Sequence, residues 1–412
     1  MLSNYIKPKG DPVISKPHIK GQPVEGAERA NLTARQLRTF DLVTRSPTEE
    51  VLTQGRLASN IVNGVPLVHY IGYEISGYVH LGTGLLGMSK LADFQEASAK
   101  TTVFLADYHT WINKKLGGDL STIRRVAGTY FKEALKASIR CVGGDPEKVD
   151  FVLGSDLYAK LGTDYLESLL KAASGMSLGR AKRSVTILGR REGEDLSLAQ
   201  MIYVPMQVAD VFSLGANLPH SGMDQRKAHV VAIDVSGNFP YEPVAVHHHL
   251  LMGIHINEEQ RKRILAAKQS GNREAFEGEI VEVKMSKSNP NSAVFIHDSE
   301  EQIRRKITGA FCPNRELDVN PIIDMQRYIV WPYLVRRGVG FELVNTKTKA
   351  TTTYKTVEEL EAAYVHGAIH PADFKASVAS YLIEILEPAR KYFSEGMGAR
   401  YLEEMKDIKV TR

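Results

Sequence analysis

Between residues 66 and 138 the chain alternates between two kinds of pattern, and this alternation limits the fold more than any other feature. "PLVHYIGYEIS" is rich in β-branched and aromatic residues and reads as a buried strand. "SGYVHLGTGLLGMSKLADFQEAS" follows, glycine-rich at its front and then apolar at helical spacing. "TTVFLADYHTWIN" reads as the next strand and "STIRRVAGTYFKEALKAS" as the next helix. Strands that alternate with helices are joined by crossovers and lie side by side in a parallel sheet with helices on its faces. An α/β domain is therefore expected.

The flanking segments fit around that unit. A helix is expected after Thr33, which would cap it, and "PTEEVLTQGRLASNIVNG" reads as a second helix, with Pro47 in its first turn and Gly64 at its stop. From Asp156 to about Gln200 the pattern turns mostly helical and carries the basic stretch "GRAKRSVTILGRR"; alternation resumes at "KAHVVAIDVSG". From "SEEQIRRKITGAF" onward helices dominate, so a separate C-terminal helical domain is expected. With 412 residues, two or three domains are the prior. The expected division is a flexible tail over 1–30, a catalytic α/β domain over 31–280 with a helical insert at about 120–200, and a helical domain over 281–412.

Composition excludes several classes. Hydrophobic residues at 43% and charged residues at 24% are ordinary for a globular protein, and a net charge of +4 leaves any basic surface local. Two cysteines, Cys141 and Cys312, do not make a disulfide framework or a cysteine-built zinc site. No apolar run approaches the roughly 18 residues of a membrane span, and the N-terminal stretch lacks a secretory core. A cytoplasmic location and no membrane partner are expected.

Two motifs carry phosphate chemistry. In "SGYVHLG" a glycine turn between strand and helix aims backbone N–H groups and the helix dipole at an anion, and His80 adds a donor. Taken alone, such a turn more often has a structural explanation. In "KMSKS", residues 284–288, two ammonium groups and two hydroxyls occupy one short loop, suited to a polyphosphate that gains charge as it leaves. Alone, this is a solvated Lys-Ser loop. A third segment, "YVPMQVADVFSLGANLPHSGMDQRKAH", spaces Tyr203, Gln207 and Asp210 at i, i+4 and i+7, which puts all three on one helix face, provided that Pro205 falls in the first turn. That face is a poor core stripe and a good polar wall. "VHHHLLMG" places three histidines on a strand, where they cannot all point one way, so no metal site is expected there.

The combination resembles class I aminoacyl-tRNA synthetases, whose paired motifs are called HIGH and KMSKS, and within them the archaeal and eukaryotic tyrosyl enzymes. The similarity runs from about Arg38 to Lys391 and includes "VFLADYHTWIN", "DSEEQIRRKITGAFCP" and "HPADFKASVA". The resemblance implies a Rossmann-like catalytic domain with a helical insertion, plus an all-helical anticodon-binding domain. It implies ATP-dependent activation of L-tyrosine and transfer to tRNA(Tyr), with Mg²⁺ accompanying ATP, in a homodimer. Ser76, His80, Lys284 and Lys287 would be catalytic. Tyr70, His109, Tyr203, Gln207, Asp210 and Gln225 would bind tyrosine, with Tyr70 and Asp210 on the phenol. Gly72, Gly77, His80, Gly82, Thr83, Gly222, Asp224, Lys284, Met285, Ser286, Lys287 and Ser288 would bind ATP. Arg226, His370 and Asp373 would contact tRNA; the basic stretch 180–191 reads either as a phosphate-contacting patch or, as basic helix faces usually are, as a solvated face.

The sequence also departs from the family pattern. "HLGT" puts Thr83 where a second histidine is usual, Ile75 replaces a proline, and Leu157 and Tyr158 occupy a segment that resembles a pocket wall. "INEEQRKRILAAKQSGNREAFEGE" is an insertion that reads as an exposed charged helix. These changes keep open a paralogue with altered amino-acid specificity, tryptophan being the nearest alternative, or a non-catalytic RNA-binding protein. Asp210 with Tyr70 argues against tryptophan, because an indole has no hydroxyl.

Overall fold

The computed structural model describes residues 32–188, 196–286 and 292–408. The expected N-terminal tail, the end of the basic patch, and Lys287 and Ser288 lie outside the described residues. A six-stranded sheet forms the centre, in the order β1-β6-β5-β2-β3-β4. Its strands are β1 (Thr48–Val51), β2 (Val68–Tyr73), β3 (Lys100–Leu105), β4 (Val149–Leu153), β5 (Leu218–Gly222) and β6 (Val246–His248). All neighbours pair in parallel except β1, which runs antiparallel to β6. From β2 the chain winds outward through β3 to β4, then returns to the other side of β2 with β5. The switch point between β2 and β5 is where open α/β sheets gather ligands.

Local sequence explains most of the elements. The helix Ala34–Thr44 starts in a capping box between Thr33 and Gln36, as expected. The glycine-rich front of the next helix, Gly82–Leu86, winds as a π-type turn before the regular helix Gly87–Glu96. Gly84 is required there, because a Cβ would lie 2.7 Å from Ser138 Oγ and 3.0 Å from Val79 Cγ1.

Four sequence readings need correction. Residues 48–51 form strand β1, and the helix begins only at Gln54; pairing with β6 outweighs the helical pattern. In "TTVFLADYHTWIN" the strand ends at Leu105, and Asp107–Ile112 is a helix. Asp107 Oδ1 accepts from the backbone N–H groups of Tyr108 and Ser155, and this turns the chain out of the sheet. Pro205 sits in the interior of the helix Leu198–Ser213, whose true start is a capping box at Ser197. It removes one helical N–H there, yet the polar face survives. The charged insertion is two helices, Glu258–Gln269 and Arg273–Val283, each capped by an asparagine.

Beyond Ser299 the chain is helical except for a hairpin of β7 (Phe341–Val344) and β8 (Thr351–Tyr354). The C-terminal helices share one continuous apolar core with the sheet domain. Tyr392 donates to Glu133 Oε2 at 3.0 Å across the junction. Deeper in, Asp93 receives Arg45, Lys90 and Arg336, the last from the C-terminal part at 2.6 Å.

Candidate active site

At one side of the switch point is a buried carboxylate, Asp210. It lies on the inner face of the helix Leu198–Ser213 and is fully buried. Its Oδ1 accepts from two phenols, Tyr158 and Tyr165, each at 3.0 Å. Its Oδ2 has no partner and lies 3.6 Å from His109 Nε2. Neither nitrogen of His109 makes a well-formed hydrogen bond; the Tyr203 backbone lies beside the ring, and the Tyr203 ring meets it edge-on at 4.6 Å. Burial drives both groups toward neutrality, with the Asp210 carboxyl pushed up to about 8 and the His109 imidazole pushed down to about 4.

Tyr70 comes from β2 and joins the same group, its ring 5.8 Å from that of Phe104. Its hydroxyl occupies the space that a Cβ on Gly72 would need, so the strand tolerates only glycine there. Further along the helix face, Gln207 donates to Gln225 Oε1 at 3.5 Å, and its own Oε1 is buried without a partner. Gln225 donates to the Ile187 carbonyl at 3.1 Å. The Tyr203 hydroxyl donates to Glu74 Oε1 at 2.8 Å, and Asn113 Nδ2 donates to the same carboxylate. The spacing-based expectation that Tyr203, Gln207 and Asp210 share one face is borne out. Orphaned buried polar atoms are rare, and here Asp210 Oδ2, Gln207 Oε1 and the His109 nitrogens gather in one region. This arrangement suits a ligand with a hydroxyl at one end and a hydrogen-bond donor at the other.

Sequence reasoning missed Glu74, Asn113 and Tyr165. Glu74 had a signal: it follows β2 directly, at the sheet edge where ligands gather. Tyr158 was noted only as a departure from the family, and its bond to Asp210 was not foreseen.

Across the switch point lies the phosphate-type region. The His80 Nδ1 accepts from the N–H groups of Gly82 and Thr83 at 3.2 and 3.4 Å. The ring proton is therefore on Nε2, which points at Thr83 Oγ1, 3.1 Å away. Ser76 is buried, with its hydroxyl on the Glu74 carbonyl at 3.2 Å. Gly77 takes a φ of 134°, open only to glycine. Opposite, Gly222 ends β5; a Cβ there would lie 2.8 Å from Asp224 Oδ1 and 2.9 Å from Leu250.

Described residues on either side of 287–291 are held to this region by backbone bonds. Met285 N–H donates to the Leu251 carbonyl at 2.7 Å, and Gly253 N–H to the Val283 carbonyl at 2.8 Å. On the far side, Leu81 N–H donates to the Val294 carbonyl at 3.0 Å. Lys284 reaches across to ion-pair with Asp224, whose carboxyl stays below its usual range because that ammonium offsets the cost of burial. Met285 is buried, and Ser286 follows at the mouth of the loop.

The residues expected to contact tRNA lie elsewhere and already have protein partners. Arg226 Nε donates to Glu50 at 2.6 Å. His370 caps the helix Pro371–Ile385 through Nδ1. Asp373 accepts from the Thr346 hydroxyl and N–H at 2.6 and 2.9 Å and from Asn345, and so holds the β7–β8 loop. The three consecutive histidines, the last just beyond β6, diverge: His247 faces His229 and Glu50, His248 faces His220, and His249 faces Glu49 and Asp324.

Comparison with known proteins agrees with this geometry. A family model described as tRNA synthetases class I (W and Y) matches residues 63–387. A tyrosine–tRNA ligase of Pyrococcus furiosus is 47% identical over 386 residues, covering 90% of this chain and 98% of that one. A tyrosine–tRNA ligase of Thermococcus gammatolerans is 45% identical over 388 residues, with the same coverage. The structure of tyrosyl-tRNA synthetase from Pyrococcus horikoshii, complexed with L-tyrosine, superposes with a TM-score of 0.82 at 45% identity and covers 90% of this chain and 99% of that one. The chain belongs to the class I tRNA synthetases, in the tyrosine–tRNA ligase family.

Proposed function

We propose that this chain activates L-tyrosine with ATP and transfers it to tRNA(Tyr). The observation that carries the reading is Asp210: a buried carboxylate with one oxygen saturated by two phenols and the other without a partner beside His109. A site whose buried groups need a hydroxyl rejects the analogue that lacks it, by about 10⁵-fold in the tyrosyl family. Tyr70, His109 and Asp210 would bind the phenol. Gln207, with Gln225 and Tyr203 behind it and Glu74 adding negative charge, would take the ammonium group.

In the first step the tyrosine carboxylate attacks the α-phosphorus of ATP, and the bond to pyrophosphate breaks. No protein nucleophile is required; positioning and charge stabilisation do the work. Gly72, Gly77, Gly82, Thr83, Gly222, Asp224, Met285 and Ser286 would border the nucleotide, with Ser76 shaping the turn. Lys284 would exchange Asp224 for the leaving pyrophosphate, joined by His80, Lys287 and Ser288. In the second step the terminal ribose hydroxyl of tRNA attacks the adenylate carbonyl, and AMP leaves. Among the described residues no group of three His, Cys, Asp or Glu side chains is arranged to hold a metal. Mg²⁺ would arrive on the triphosphate and neutralise its charge.

Arg226, His370 and Asp373 would contact tRNA after exchanging their present partners. Leu166, Leu170, Leu178, Leu198 and Ile202 are exposed large apolar side chains in and around the helical insert, and this surface supports a homodimer. The division into a catalytic domain and a helical anticodon-binding domain, and a cytoplasmic location, belong to the same reading. Charging of tRNA(Tyr) with labelled tyrosine tests it. Asp373→Ala should raise the KM for tRNA and leave ATP–pyrophosphate exchange intact; no charging of any tRNA by the wild-type chain would reject the reading.

A further inference from the structure

Behind the nucleotide side of the sheet, three buried histidines on adjacent strands form a chain. His69 Nε2 on β2 lies 3.2 Å from His220 Nδ1 on β5, and His220 Nε2 lies 2.7 Å from His248 Nδ1 on β6. None belongs to the site described above. Burial keeps all three neutral: the His69 imidazole is pushed down to about 3, the His248 imidazole to about 4, and His220 well below its usual range. Each ring therefore carries one proton, and the two contacts allow only two orderings. Either every Nε2 carries its hydrogen or every Nδ1 does.

The ends of the chain distinguish the two. His69 Nδ1 is buried without a partner, so a hydrogen there would be an orphaned donor. The ammonium of Lys90, itself fully buried, acts on the same ring and disfavours a second proton on it. At the other end His248 Nε2 borders the space above Gly222: a Cβ there would lie 3.5 Å from it and 2.8 Å from Asp224 Oδ1. The Asp224 carboxylate attracts a proton at that end. Both ends favour a hydrogen on each Nε2.

We infer that His69 and His220 fix the tautomer of His248, so that His248 presents an Nε2–H to the space above Gly222 and holds Asp224 in place for the nucleotide ribose. His248 is then a positioning residue. It matters most when Lys284 leaves Asp224 for the pyrophosphate, because Asp224 then keeps only neutral donors. The inference rests on the ATP-dependent reading above for its ligand, but not for its tautomers.

The test uses the full chain labelled with ¹⁵N-histidine, together with titration of α,β-methylene-ATP, which cannot form an adenylate. NMR should show the hydrogen on Nε2 of His69, His220 and His248. His248→Asn keeps an acceptor for His220 and removes the distal donor; it should bind the analogue about tenfold more weakly. His248→Gln, which returns an amide N–H near the Nε2 position, should recover most of that affinity. Tyrosine affinity should be unchanged in both, which general loss of structure would not allow. A hydrogen on Nδ1 of His248, or analogue binding by His248→Asn equal to wild type, would overturn the inference. Failure of tyrosine-dependent exchange in the wild type would instead reject the ligase reading, with both other readouts still standing.

Discussion

Asp210 Oδ2 and His109 Nε2 face each other at 3.6 Å inside the protein, and Oδ2 is left without a partner while Oδ1 holds two phenols. The helix Leu198–Ser213 thus carries a destabilising group in its last turn. Such a cost is expected where a ligand, not the fold, completes the hydrogen bonding.

That cost has a pH signature. The Asp210 carboxyl is raised from 3.8 to about 8 in the folded chain, by burial. Between those values the native state keeps a proton that the unfolded chain has lost, so stability falls as pH rises across this window. One such proton gives a slope of about 1.4 kcal/mol per pH unit. Asp210→Asn should remove that component, making the ligand-free chain relatively more stable than wild type at pH 8 and above, while abolishing tyrosine activation. Denaturant unfolding of both proteins from pH 5 to 9 checks it; parallel pH profiles would contradict the account.

Lys284 is paired with Asp224, and in the proposed reaction it would change partner. Lys284→Met should lower kcat for ATP–pyrophosphate exchange about 10²-fold, the size typical of a lost charge-stabilising donor. The KM for tyrosine should barely move, because Lys284 lies on the nucleotide side. Steady-state exchange kinetics separates the two constants.

The alternating strand and helix patterns made the α/β sheet legible, and helical spacing alone placed Tyr203, Gln207 and Asp210 on one face. Less legible were elements decided by pairing at a distance. Residues 48–51 look helical locally and become a strand only because β6 offers an edge. Glu74 and Tyr165 were hidden for the same reason: Glu74 meets Tyr203 from 129 residues away, and Tyr165 meets Asp210 from 45. Assignment of the KMSKS-type loop to ATP depended on family resemblance, since a Lys-Ser loop alone has no distinctive physics.

Thr83 accepts from His80 at the start of the π-type turn, at the position where the resemblance to the HIGH motif leads one to expect a second histidine. Thr83→His should lower the KM for ATP by adding a donor with longer reach beside the phosphates. An unchanged KM would show that position 83 does not reach the nucleotide.

The Asp93 carboxylate joins Arg45, Lys90 and Arg336, and so ties the N-terminal helix and the C-terminal part to the sheet domain. Burial already pushes the Lys90 ammonium down to about 8 despite that carboxylate. Asp93→Asn leaves three cations around a neutral amide, and should cost about 3–5 kcal/mol of stability, as removal of one partner of a buried pair does. Urea unfolding at constant pH measures it.

Comparison of ATP–pyrophosphate exchange with tyrosine, phenylalanine and tryptophan as the added amino acid bears most directly on the central claim. The site predicts robust exchange with tyrosine and a kcat/KM for phenylalanine lower by about 10⁴-fold or more, because only tyrosine supplies a hydroxyl to Asp210 and His109. Equal exchange with phenylalanine, or exchange driven by tryptophan alone, would contradict it.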